Sequence, residues 1–249
     1  METQKTEAET PKLSWLTRIA TLLGLATKSH AMTAAEKREA AAEEFEKAVR
    51  STFPDEVQTG NVLPLVFWPN ALLKERSVPV VRFDDDLHQL VQSMGLTMYL
   101  CGGVGLSAIQ VGVPLRVIVA DVRTLDAKEA KFLVFVNPVI LSADTPARLV
   151  EGCLSLPNLR ETIERAHRVT VQAQHYTGIQ FTTTLGGWAA RVFLHEYDHL
   201  EGLTMLDELP PMTRRFAEKR LMKLAKSVKL DGVNGQRKAA KRAARGLGR

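Results

Sequence analysis

Cysteine is nearly missing from this chain: its 249 residues contain only Cys101 and Cys153. Two thiols cannot build a disulfide framework, and so few of them point to a reducing compartment, the cytoplasm. Each cysteine then reads as a ligand, a nucleophile or core filling. Long apolar runs are missing as well. None approaches the roughly 20 residues that span a bilayer, which predicts a soluble protein without a transmembrane segment. The first residues lack the basic start of a secretory signal, and Glu2, Glu7 and Glu9 supply the acid that organellar transit peptides avoid. No internal repeat is visible. The last stretch lacks acid entirely: after Gln236 come Arg237, Lys238, Lys241, Arg242, Arg245 and Arg249 with no Asp or Glu. The whole chain carries a formal +5, so without those six charges the rest stands at −1. The basic character belongs to the tail, and no DNA partner is expected.

What is present is enough for one sizeable core. A 45% hydrophobic chain of this length predicts a single catalytic domain with extensions. Residues 1–61 read as an N-terminal extension: Trp15, Leu16, Ile19, Leu22 and Leu23 recur at helical spacing, and Thr33 to Arg50 is a solvated Ala/Glu/Lys helix. Residues 62–210 read as the catalytic domain. Its expected parts are an extended stretch Leu63 to Pro69, an amphipathic helix over Asp84 to Tyr99, and short strands at Leu115 to Ala120 and Phe132 to Val136, the second stopped by Asn137-Pro138. A hairpin of Arg168 to Gln174 with Ile179 to Thr184 comes next, and Trp188 begins another helix. Residues 211–249 hold an amphipathic helix, with Phe216, Leu221, Leu224 and Val228 on one side, and the basic tail.

The helix beginning at Trp188 carries Phe193-Leu194-His195-Glu196-Tyr197-Asp198-His199-Leu200-Glu201-Gly202. Histidines four apart project from the same helical face and can hold a divalent metal. Glu196, beside the first, is placed to take a proton from a water held by that metal. The bland alternative is a surface helix with two solvated histidines. A catalytic metal wants a third protein ligand and an open position. Glu201 and Asp207 are near in sequence, and Cys153 sits in a Gly-Cys loop able to fold back against the helix; the residues leave that choice open. Cys101 reads as packing, and Glu151 with Arg165 as a buried ion pair supporting the Cys153 loop. Asp198 reads as a salt-bridge anchor for the helix. The glycine-rich Cys101 to Gln110 lacks the Lys-Ser/Thr of a phosphate loop and follows a helix, not a strand.

Three segments in order resemble the three motifs of the peptide deformylases: Gly103-Val104-Gly105-Leu106-Ser107-Ala108-Ile109-Gln110, Glu151-Gly152-Cys153-Leu154-Ser155-Leu156-Pro157, and His195-Glu196-Tyr197-Asp198-His199-Leu200-Glu201-Gly202. The resemblance covers about Leu63 to Leu209. It implies a metal held by Cys153, His195 and His199, Fe²⁺ with Zn²⁺, Ni²⁺ or Co²⁺ able to substitute. It also implies Glu196 as general base, with the Gln110 amide and the Leu154 backbone N–H as oxyanion donors. Gly103, Val104 and Gly105 would line the substrate groove, with Arg160 on the substrate side. The implied reaction removes the formyl group from the formyl-methionine of new polypeptides. Two positions depart from the family's usual residues: Ser107 stands where Ala is usual, and Leu194 where Gln is usual. The C-terminal helix and tail resemble, in position and charge, a helix through which some members contact the ribosome. The expected fold is α+β, a mixed, mainly antiparallel sheet packed around a central metal-binding helix, with helical extensions at both ends. A zinc peptidase built on the same helix, and a catalytically weak ribosome-associated binding protein, are the alternative readings.

Overall fold

A computed structural model describes residues 43, 44, 47, 48, 50–122 and 131–227. The expected Trp15–Leu23 helix and the basic tail lie outside the described residues; of the helix expected over Thr33 to Arg50, the described positions 43, 44, 47, 48 and 50 are helical. The chain divides into two units, Met1–Asp55 and Glu56–Arg249, and the elements named below belong to the second.

That unit is α+β. Five antiparallel strands lie in the sheet order β1-β2-β3-β4-β5, with β1 at Gly105–Ser107, β2 at Val117–Val122, β3 at Lys131–Cys153, β4 at Leu156–Gln174 and β5 at Gln180–Gly186. Among the described residues of this unit three α-helices accompany them: α1 at Asp85–Leu100, α2 at Trp188–Leu200 and α3 at Pro211–Ser227. The sheet is antiparallel throughout rather than mixed; the one parallel link among the described residues is an isolated bridge between Val78 and Leu115.

Helix α1 follows its periodicity. The Asp84 side chain accepts from the Leu87 N–H as N-cap, Asp85 and Asp86 favour the positive helix start, and Leu87, Leu90, Val91, Met94 and Met98 are buried against β1 and β2. The two long strands depart from expectation. Asn137-Pro138 does not stop β3. The chain bulges there, with Asn137 at φ 51° and the register slipping between Val136 and Val139, and the strand continues to Cys153. Asn137 is held by side-chain bonds with the Val80 N–H (2.8 Å), the Val80 carbonyl (2.9 Å) and Gln174 Oε1 (3.0 Å). Before the bulge β3 pairs with both β2 and β4, and beyond it with β4 alone. The Gly-Cys loop expected around Cys153 is the tip of this hairpin, where Cys153 pairs with Leu156 across Leu154-Ser155.

Helix α2 buries Ala189, Ala190, Val192 and Phe193 against the sheet, and the Phe193 ring meets Phe135 edge-on at 5.0 Å. Helix α3 packs through Ala217 and Leu221, one turn apart, onto Leu156, Leu159 and Ile163 of β4. Phe216, expected on the packed side, is 60% exposed. Among the described residues no helix is long and apolar enough to cross a membrane.

Candidate active site

Three elements bring the polar groups together. Helix α2 carries His195 and His199 one turn apart, their ring centroids 5.2 Å from each other. Its C-terminus is closed by Gly202 at φ 75°, where a side chain would meet the Lys74 carbonyl at 2.6 Å. Only glycine fits both the turn and that approach. The β3–β4 tip delivers Cys153. The ligand atoms of Cys153, His195 and His199 all lie within 4.8 Å of one another, and this is the one such group among the described residues. Glu201 and Asp207, open as third ligands on sequence alone, are engaged elsewhere, Glu201 by Arg76 and Arg116, Asp207 by Lys74 and Arg214.

The donors suit a divalent cation. Cys153 Sγ lies 3.3 Å from His199 Nε2, while His195 gives its Nδ1 to Glu151 Oε2 at 2.9 Å and keeps Nε2 for a ligand. His199 is fully buried; burial, with the charge of His195 behind it, holds its pKa well below the ordinary imidazole value and leaves the ring neutral. Burial opposes protonation of His195 too, but hydrogen bonds to Cys153 and Glu151 raise it well above that value.

Behind the ligands lies a buried charge network. Glu151 Oε1 accepts from Arg165 Nε at 2.7 Å and from Arg191 Nη1 at 2.5 Å, and Arg165 Nη1 reaches Asp198 at 2.7 Å. Arg191 also donates to the carbonyls of Ile163 and Ala147. Strand parity explains the arrangement: Glu151, paired with Glu161, and Arg165, paired with Ala147, lie on one face of the hairpin. Burial works to raise the Glu151 carboxyl, but hydrogen bonds from His195 and Arg165 outweigh it and hold the pKa at about 2.

Glu196 is 4% exposed, and its Oε2 has no hydrogen-bond partner among the described residues. Burial pushes its pKa up to about 7. Gly105 makes room for this carboxylate, since a Cβ there would stand 2.8 Å from Glu196 Oε1. Gln110, in the 3₁₀ turn Ala108–Val111, donates from Nε2 to Ser155 Oγ at 3.2 Å and to Cys153 Sγ at 3.6 Å.

A cleft of about 480 Å³ opens over Cys153, His195 and Glu196. Gly103, Val104, Gly105, Leu154 and Arg160 line it, whereas Gln110 and His199 are not among its lining residues. Cys101, expected as packing, is exposed at the same cleft and stands outside the metal group. Leu194 is half-buried and packs on the core between sheet and helix. Two contributors escaped the sequence reading. Arg191 had one sign, an arginine one turn before His195 on an otherwise apolar helical stretch; Ser155 had none.

An α+β sheet bearing a Cys/His/His group, its histidines buried and its cysteine half-buried, beside a buried carboxylate defines the class. The profile of the polypeptide deformylase family matches residues 62–215, and the chain belongs to that family. Among its relatives, a peptide deformylase of Maricaulis maris is 44% identical over 166 residues, 66% of this chain and 95% of that protein. One from Aquifex aeolicus is 40% identical over 168 residues, 68% of this chain and 99% of its own. The crystal structure of a peptide deformylase from Legionella pneumophila superposes with a TM-score of 0.62 at 36% identity, covering 68% of this chain and 98% of the other. That from Ehrlichia chaffeensis gives 0.63 at 34%, covering 67% and 98%.

Proposed function

We propose that this chain is a metal-dependent peptide deformylase, hydrolysing the formyl group from the N-terminal formyl-methionine of new polypeptides and releasing formate. The observation that carries the reading is the thiol of Cys153 converging with His195 and His199 beside a buried glutamate, within a deformylase-family segment. Cys153 Sγ and one ring nitrogen from each histidine would hold the cation, Fe²⁺ by preference, with Zn²⁺, Ni²⁺ or Co²⁺ able to replace it. A divalent ion bound there supplies Lewis-acid activation of water at neutral pH.

The remaining chemistry belongs to the protein. Glu196 takes the proton released as the new C–O bond forms and returns it to the amine nitrogen as the C–N bond breaks. Charge that gathers on the formyl oxygen is met by the Gln110 Nε2 amide and the Leu154 N–H, each worth about 3 kcal/mol by comparison with other acyl-transfer sites. Gly103, Val104 and Gly105 hold the substrate backbone in the cleft, with Arg160 at its side. This assigns catalysis to residues 62–210. A zinc peptidase gives Cys153 no role, and its place in the ligand group favours the deformylase. Leu194 removes no ligand, base or donor.

Residues 211–249 are proposed to contact ribosomal RNA in the cytoplasm. Exposed Arg215, Lys219, Arg220 and Lys223 on α3 support this, as do the tail charges. Truncation after Gly235 is expected to spare turnover of a short formyl-peptide and weaken ribosome co-sedimentation; unchanged sedimentation at low salt would reject the contact. For the reaction itself, Glu196→Gln should bind the metal yet lose formate release by at least about 100-fold. A variant that kept its activity would remove Glu196 as the base.

A further inference from the structure

Ser107 lies in the glycine-rich segment before Gln110, and its surroundings give the hydroxyl an occupation. It is the last residue of β1, fully buried, and it leads into the turn that carries Gln110. Gln110 is itself 1% exposed. Its Oε1 accepts twice from Ser107, from the backbone N–H at 2.9 Å and from the hydroxyl at 2.8 Å. With both bonds on the oxygen, the amide nitrogen is left facing Cys153 Sγ and Ser155 Oγ. An amide turned end for end would set its NH₂ against the Ser107 N–H, donor against donor, so the pair of bonds selects one orientation. A single backbone donor would fix the oxygen but leave the amide plane freer to rotate about its last torsion, which has a broad minimum. The hydroxyl removes that freedom.

We propose that Ser107 is a positioning residue for Gln110, clamping the amide oxygen so that Nε2 is presented to the developing oxyanion. The catalytic consequence rests on the deformylase reading; the clamp itself does not. It acts through Gln110, so its effect should vanish when Gln110 is gone.

The test is a double-mutant cycle on the full-length, metal-loaded chain with Ser107→Ala, Gln110→Ala and the combination, each checked for metal content and thermal midpoint. On formyl-Met-Ala-Ser, Ser107→Ala should lower kcat about fivefold, the worth of one neutral hydrogen bond, at unchanged KM and metal content. In the Gln110→Ala background the same change should cost less than about twofold. In parallel, hydrogen exchange of the Gln110 side-chain amide is followed by ¹⁵N NMR in the Zn²⁺ form, where Ser107→Ala should speed it. Equal losses in both backgrounds, or an amide as protected in Ser107→Ala as in the parent, would overturn the proposal. Should the parent release no formate, the deformylase reading fails, and the exchange measurement alone still decides whether Ser107 clamps Gln110.

Discussion

Glu151 holds three positively inclined partners on two oxygens: Arg165 and Arg191 on Oε1, His195 on Oε2. The side chains of Glu151, Arg165 and Arg191 are 3%, 6% and 3% exposed, so their charges are balanced inside the protein and not by water. Breaking one member of such a set leaves an uncompensated buried charge, at about 3–5 kcal/mol. Glu151→Gln keeps the shape and removes the charge. It should lower stability by about that amount in denaturant titration and weaken metal affinity about 10–100-fold, because the one amide oxygen left cannot serve both His195 and the arginines. Stability and affinity both within error of the parent would mean the network is ornamental. At this scale much was legible. His195, Glu196 and His199 follow from spacing, and Glu151 with Arg165 was visible as a pair. Arg191 was not, since its part depends on two carbonyls that approach only when the hairpin lies across α2. Ser107 was visible only as a departure, because its bond to Gln110 needs the turn to be built first.

The strand β3 is where element-scale reading failed, for a physical reason. Proline cannot donate to a ladder, so Asn137-Pro138 reads as a stop. The structure replaces the missing ladder bond with an outside partner: the Asn137 side chain pairs with both backbone groups of Val80. Local sequence cannot announce a partner 57 residues away. Asn137→Ala would leave the Val80 groups unpaired and place an ordinary residue at φ 51°, and should cost about 2–3 kcal/mol by chemical denaturation. Asn137→Gly relieves the backbone strain alone and should fall between alanine and the parent. A glycine variant worse than alanine would show that backbone strain at φ 51° contributes nothing at this bulge. The helices were easier. The periodicity and acidic start of α1 specify its buried face, and Gly187 marks the beginning of α2. For α3 the same periodicity misplaced Phe216, because a long apolar side chain at the margin of a stripe can face either way.

Across the whole unit, partly exposed ion pairs join segments far apart in the chain. Asp207 takes Lys74 and Arg214, and Glu201 takes Arg76 and Arg116. Burial tends to raise both carboxyls, yet the bond from Lys74 on Asp207 and those from Arg116 and Arg76 on Glu201 outweigh it, so both pKa values are lowered. A folded value below the unfolded one gives stability that is full above the unfolded pKa, about 4, and is lost as pH falls through the folded value. The difference in unfolding free energy between the parent and an Asp207→Asn/Glu201→Gln double variant should therefore be greatest above about pH 5 and shrink steadily below about pH 4. Solvent screening of these partly exposed pairs keeps the difference modest. A difference that grew on acidification would reverse the assignment. The α+β class and a mainly antiparallel sheet were legible from the strand and helix signals, whereas the five-strand order and the absence of a mixed sheet among the described residues were not, since pairing partners lie outside any local window.

The central claim is that Cys153, His195 and His199 hold a metal that makes this protein a deformylase. It is tested most directly by formate release from formyl-Met-Ala-Ser, using protein purified without oxygen and supplied with Fe²⁺, beside a Cys153→Ala variant with its metal content measured. The account predicts formate from the parent, and from the variant neither formate nor stoichiometric metal. A parent that stays silent with Fe²⁺ or Ni²⁺ bound, or a variant that turns over as fast as the parent, would contradict it.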